Sequence, residues 1–126
     1  MLNYTQYREK YGKLLNILVA LDDNIVTDDQ YELTKGWDIN EKNGFDQYLK
    51  VIIIPYFVEY SLEKKEQIMG AIEFAINGDY DDLNKIFSEL TFVFDYEIKD
   101  KREFLIRLKK GLENYKNTSF CKVNDS

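Results

Sequence analysis

Phe45-Asp46-Gln47-Tyr48-Leu49-Lys50-Val51-Ile52-Ile53-Ile54-Pro55-Tyr56-Phe57-Val58-Glu59-Tyr60 admits two readings. The β-branched run Val51–Ile54 has the composition of a buried strand. Yet Phe45, Tyr48, Leu49, Ile52, Ile53, Tyr56, Phe57 and Tyr60 recur at intervals of three and four, the period of an amphipathic helix. Pro55 argues against the strand, because proline removes a ladder hydrogen bond and is confined to sheet edges. In a helix it removes one bond and bends the axis. The spacing therefore predicts a core helix kinked at Pro55, or two helices meeting there.

Upstream, Tyr4, Tyr7, Tyr11, Leu14, Leu15, Leu18 and Leu21 keep the same period, so Tyr4 to Leu21 reads as an amphipathic helix. Thr27 with Gln30 forms a capping-box signature for a short helix through Lys35, with Gly36 as its stop. Trp37 to Gly44 reads as a polar loop. Downstream, Ser61 is an N-cap for a helix whose apolar face runs from Leu62 to Ile76 and which ends at Asn77-Gly78. Asp79 caps the next, with Leu83, Ile86, Phe87 and Leu90 as its face. Thr91 to Phe94 extends that helix or forms an apolar connection. Asp100 and Glu103 open a final helix bearing Phe104, Leu105, Leu108, Leu112 and Tyr115. The expected fold is all-α, a single-domain bundle of five to seven helices over residues 1–116, with residues 117–126 as a flexible tail.

A chain of 126 residues with 44% apolar and 15% aromatic content can bury a core without metal or disulfide. Cys121 is the sole cysteine, which excludes an intramolecular disulfide and a cysteine-based zinc site. There is no signal-peptide pattern and no apolar run of membrane-spanning length, so a cytoplasmic protein is expected. Histidine is absent altogether, which removes the usual general base and metal ligand. Glycine-rich phosphate loops and nucleophile elbows are also missing. We therefore expect no enzyme activity and no cofactor.

Charge is the remaining signal. Asp22 to Asp46 carries eight acids against two lysines, and Asp79 to Asp100 seven against two, whereas Lys101 to Lys116 is locally basic. Such a surface repels nucleic acid and attracts a basic partner. Within each acidic block, carboxylates accompany an aromatic ring: Asp28, Asp29 and Tyr31 in the first, with Trp37 and Asp38 nearby, and Asp79, Tyr80, Asp81 and Asp82 in the second. Tyrosine supplies rigid contact area with a polar tip, and carboxylates meet lysine and arginine on a complementary surface. All nine are candidate partner-binding residues, with Asp79 also a cap and Tyr80, Asp81 and Asp82 expected to be exposed.

A metal reading is weaker. Neither acidic block has the glycine at position six and glutamate at position twelve of an EF-hand loop. Glu59, Glu63, Glu66, Glu73 and Asp82 are spaced like the magnesium ligands of helical pyrophosphatases, but Lys64 and Lys65 interleave with them as on an ordinary solvated face. No metal site is expected.

The run Ile76-Asn77-Gly78-Asp79-Tyr80-Asp81-Asp82-Leu83, following the helix that begins Ser61-Leu62-Glu63, resembles the helix junction of small acidic all-helical immunity proteins of bacterial toxin systems, including those of contact-dependent inhibition. The tyrosine pair before proline that marks the DNase-colicin immunity proteins is absent, because Ile54-Pro55-Tyr56 places the aromatic after the proline. The resemblance implies a non-catalytic protein that binds and neutralises a cognate toxin domain, such as a nuclease, through its acidic, aromatic-bearing surface. Two alternatives stand beside it: a phage-encoded nucleic-acid mimic that occupies a host defence protein, and a magnesium-dependent nucleotide hydrolase.

Overall fold

The structure, a computed structural model, describes residues 4–94 and 97–125, apart from the side chains of residues 4, 6, 7, 10 and 116–125. Helix α1 spans Tyr4–Leu18 and tightens into a 3-10 turn at Val19–Leu21. Helix α2 (Asp28–Thr34) follows, then α3 (Lys42–Tyr48), a π-helical turn at Leu49–Ile53 and α4 (Ile54–Phe57) in unbroken succession. The remaining helices are α5 (Leu62–Ile76), α6 (Tyr80–Ser88) and α7 (Lys101–Asp125). Counting α3 to α4 as one, the described residues form six helices and no strand. The expected all-α bundle is what the chain forms.

Pro55 acts through the turn before it. A proline ring presses on the carbonyl four residues back, here that of Val51, and a wider turn relieves the pressure. That carbonyl lies inside the π turn, where the Ile54 N–H donates to Leu49 O, one residue further back than in an α-helix. Helical geometry resumes at once, with Val58 N–H donating to Ile54 O at 3.0 Å. The expected kink is thus a widened turn N-terminal to the proline. Ile52, Ile53 and Phe57 remain buried across it.

Helix α5 packs against α1 and α7, and α6 touches both of those helices. The core runs through all of them: Leu14, Leu18, Phe57, Ile68, Ile72, Ala75, Leu83, Ile86, Leu105 and Leu112 are essentially inaccessible to water. Gly111 lets α7 lie against the π turn, since a Cβ there would overlap the Leu49 side chain. Gly36, at φ 87°, reverses the chain after α2, a conformation natural to glycine.

Two polar residues tie the connections down. Asn40 donates to Glu97 O at 2.8 Å, accepts from Lys99 N–H at 2.9 Å, and its own carbonyl accepts from Arg107 at 2.8 Å. Buried Asp22 accepts from Asn24 N–H at 2.8 Å and from Thr91 N–H at 3.2 Å. Asp23 N–H donates to Thr91 O at 2.7 Å and Val93 N–H to Leu21 O at 2.9 Å, making an isolated antiparallel bridge of Asp22 with Phe92. Thr91 to Phe94 is therefore the apolar connection rather than more of α6.

The last helix runs past Lys116 to Asp125, through the segment expected as a tail. Cys121 lies there, and its side chain is outside the described residues. Among the described residues no helix is long and apolar enough to cross a membrane.

Candidate partner-binding surface

The entrance to α2 is rigid because its capping box is complete. Thr27 Oγ1 accepts from Gln30 N–H at 3.1 Å, and Gln30 Oε1 accepts from Thr27 N–H at 2.9 Å. Asp28 and Asp29 are exposed in the first turn, where the helix dipole favours carboxylates, and Tyr31 is 38% exposed on the next. Because the Asp22 bonds hold Thr91 to Val93 beside this entrance, Asp23, Asp28 and Tyr31 line a cleft of about 370 Å³ with Thr91, Phe92 and Val93.

On the other side of the same segment the surface is apolar. Alternation along an extended chain sends Val93 into the core and sets Phe92 and Phe94 on the opposite face. Their rings stack at 5.4 Å and 9°, and Phe87 of α6 lies 5.8 Å from Phe92. With Leu90 and Ile98 these rings form a groove of about 570 Å³, completed by Asn84, Ser88, Glu97 and Lys101. Its volume is that of a ligand site. Phe92 is the wall shared by groove and cleft.

The α6 entrance differs from the expectation at one residue, Asp82. Asp79 caps the helix, accepting from Asp82 N–H at 2.8 Å, and Asp79, Tyr80 and Asp81 are exposed. Asp82, expected on the surface, is 4% exposed, and its Oδ1 has no hydrogen-bond partner among the described residues. The cause is helical phase: Asp82 lies one turn before buried Ile86 and beside buried Leu83. Tyr80 is 52% exposed, with one face of its ring covered. The Arg102 guanidinium sits 4.3 Å above its centroid while donating to Gly78 O, and Arg102 Nε is buried without a partner among the described residues. Tyr11 closes the same junction from α1, near enough for its hydroxyl to meet a Cβ placed on Gly78. Burial pushes the Tyr11 phenol above its usual range, and the carboxylates of Asp82 and Asp79 push it further.

Trp37 and Asp38 belong to neither place. Trp37 packs edge-on against buried Tyr48 at 5.8 Å, and Asp38 Oδ1 accepts from Asn40 N–H at 2.9 Å and from its side-chain amide at 3.1 Å. They line a separate shallow hollow of about 380 Å³ with Glu41 and Gln47. The nine candidates are therefore spread over three places. Asp28 and Tyr31 share one concavity and Trp37 and Asp38 another, the first being the one that adjoins the apolar groove.

Glu59, Glu63, Glu66 and Glu73 are exposed while Asp82 is buried, so these five carboxylates do not converge. Among the described residues no three acidic or cysteine side chains gather as metal ligands. Three basic residues of α7 serve the fold: besides Arg102, Arg107 reaches Asn40 O and pairs with Glu103 at 3.5 Å, and Lys109 pairs with Glu113 at 3.1 Å. Asp23, Phe92, Phe94 and Ile98 were not among the candidates. Their only sequence signal is an apolar stretch with aromatics at alternate positions between two helices. No protein family, curated protein or solved structure matches this chain.

Proposed function

We propose that this chain is a non-catalytic binding protein that captures a basic protein domain, the role of a toxin-immunity protein, through the α2 cleft and the adjoining groove. One observation carries the reading: a cleft bearing Asp23, Asp28 and Tyr31 shares the wall of Phe92 with an apolar groove. Acidic rims steer a cationic partner and select it, while aromatic concavities supply the buried contacts on which slow release depends. Separation of the carboxylates into three places favours a compact patch over the long acidic track that a nucleic-acid mimic needs.

The test is affinity capture from cells of the source organism, identification of the partner by mass spectrometry, and titration of the purified pair. Association is expected to slow steeply with added salt. The double reversal Asp23→Lys with Asp28→Lys is expected to weaken binding by about 30-fold or more, the cost of opposed charges at a contact. Salt-independent association that survives the reversal contradicts the reading.

A further inference from the structure

We infer that the groove takes an extended segment of the partner, in which an apolar side chain flanked directly by lysine or arginine pairs with the main chain of Phe92; this rests on the binding function proposed above. The bridge geometry is the first support. In this type of antiparallel pair the bonds run from Asp23 N–H to Thr91 O and from Val93 N–H to Leu21 O, so the N–H and C=O of the intervening Phe92 point away from residues 21–23. Neither group is bonded within the described residues. A donor and an acceptor on one residue of an extended edge are what an incoming strand pairs with.

Side-chain alternation supplies the second support and the chemistry of the occupant. A residue paired opposite Phe92 places its side chain on the same face as Phe92 and Phe94, which is the groove, where Phe87 and Ile98 complete an apolar seat. Of its two neighbours, the one opposite Val93 meets the buried side of the segment, and the one opposite exposed Thr91 points to the face on which Asp23 and Asp28 line the cleft. A long cationic side chain at that position extends across Thr91 toward the carboxylates, whereas an acidic one meets like charge. The groove alone would suit any apolar group. The main-chain pair of Phe92 and the acidic cleft on the opposite face select a strand with a basic residue directly beside its apolar one.

The experiment is an NMR titration of the full chain with an acetylated, amidated pentapeptide: phenylalanine at the centre, a lysine on each side, serines at the ends. A dissociation constant on the order of 1 mM is expected for so short a segment, with shifts at the amides of Phe92 and Phe94 and at Asp23 and Asp28. N-methylation of the central residue removes one main-chain bond and should weaken binding about fivefold. Glutamates in place of the lysines, or alanine in place of the phenylalanine, should abolish measurable binding. Ser88→Trp fills the groove from an exposed position, leaves the core untouched, and should block the peptide and weaken the whole partner about tenfold. Equal binding by the N-methylated or glutamate peptide overturns the strand, as does equal binding of phenethylamine, which would mark a small-molecule pocket. Loss of partner binding in the Asp23→Lys, Asp28→Lys chain but not in Ser88→Trp leaves the binding function standing and removes this inference. Loss in neither variant removes both.

Discussion

The entrances to α2 and α6 carry the same composition, a cap followed by carboxylates and a tyrosine, and the fold uses them in opposite ways. At α2 the capping box closes on exposed residues, and Asp28 and Tyr31 face a cleft completed by Asp23 and the Thr91–Val93 segment. At α6 part of the same set is tied into the fold: Asp82 is buried, one face of the exposed Tyr80 carries Arg102, and Tyr11 crowds Gly78. Two helical junctions of like composition thus divide between contact and construction. The phase of each carboxylate relative to its helix's apolar stripe decides which.

Substitutions at the two junctions should separate accordingly. Gly78→Ala forces a Cβ against the Tyr11 hydroxyl and should cost about 2 kcal/mol in chemical denaturation, by overpacking. The loss should shrink when Tyr11→Phe is also present; an undiminished loss would show that the crowding at α6 is not the cause. Asp28→Ala at the α2 entrance should stay within about 0.5 kcal/mol, as exposed changes do.

Caps offer a finer comparison. Asp79→Ala and Thr27→Ala should each cost about 1 kcal/mol of stability, but with different consequences. Loss of Asp79 leaves partner affinity intact, whereas loss of Thr27 loosens the turn that presents Asp28 and Tyr31 and weakens binding. Calorimetric titration of both variants distinguishes them, and equal effects on affinity would erase the division drawn here.

The smallest effect is electrostatic. The Tyr11 phenol is raised by burial, then by Asp82 and Asp79, so the fold favours its neutral form. Its contribution to stability is therefore complete below the ordinary tyrosine value near pH 10 and is lost as pH rises through the elevated folded value. Asp82→Asn removes one of the charges, and ring-labelled tyrosine NMR should show Tyr11 ionising at lower pH than in the parent chain, though still above the ordinary value. No movement would mean that Asp82 does not face the ring.

Much of this architecture was legible in the residues. The three- and four-residue recurrence from Phe45 to Tyr60 outweighed the β-branched run, and the caps at Thr27, Ser61, Asp79 and Asp100 lie where their helices begin. The π turn was not, because it depends on how the Val51 carbonyl escapes the Pro55 ring. Burial of Asp82 was within reach, since it stands four residues before Ile86 on the stripe that already marked the α6 core. Trp37 gave no such hint: only the tertiary packing sets it against Tyr48. The groove was the least accessible, because it forms when Asp22 bridges to Thr91 across 69 residues of sequence, and no local pattern announces that bond.

The central claim is that the α2 side holds the partner while the α6 junction holds the fold. Titration of the captured partner against the Asp23→Lys, Asp28→Lys chain and against Asp81→Lys tests it most directly. The first is expected to lose about 30-fold or more in affinity, and Asp81→Lys, an exposed charge one turn before Asn84, no more than a few-fold, mainly in association rate. The reverse order, with Asp81→Lys abolishing binding and the double variant binding normally, would contradict it.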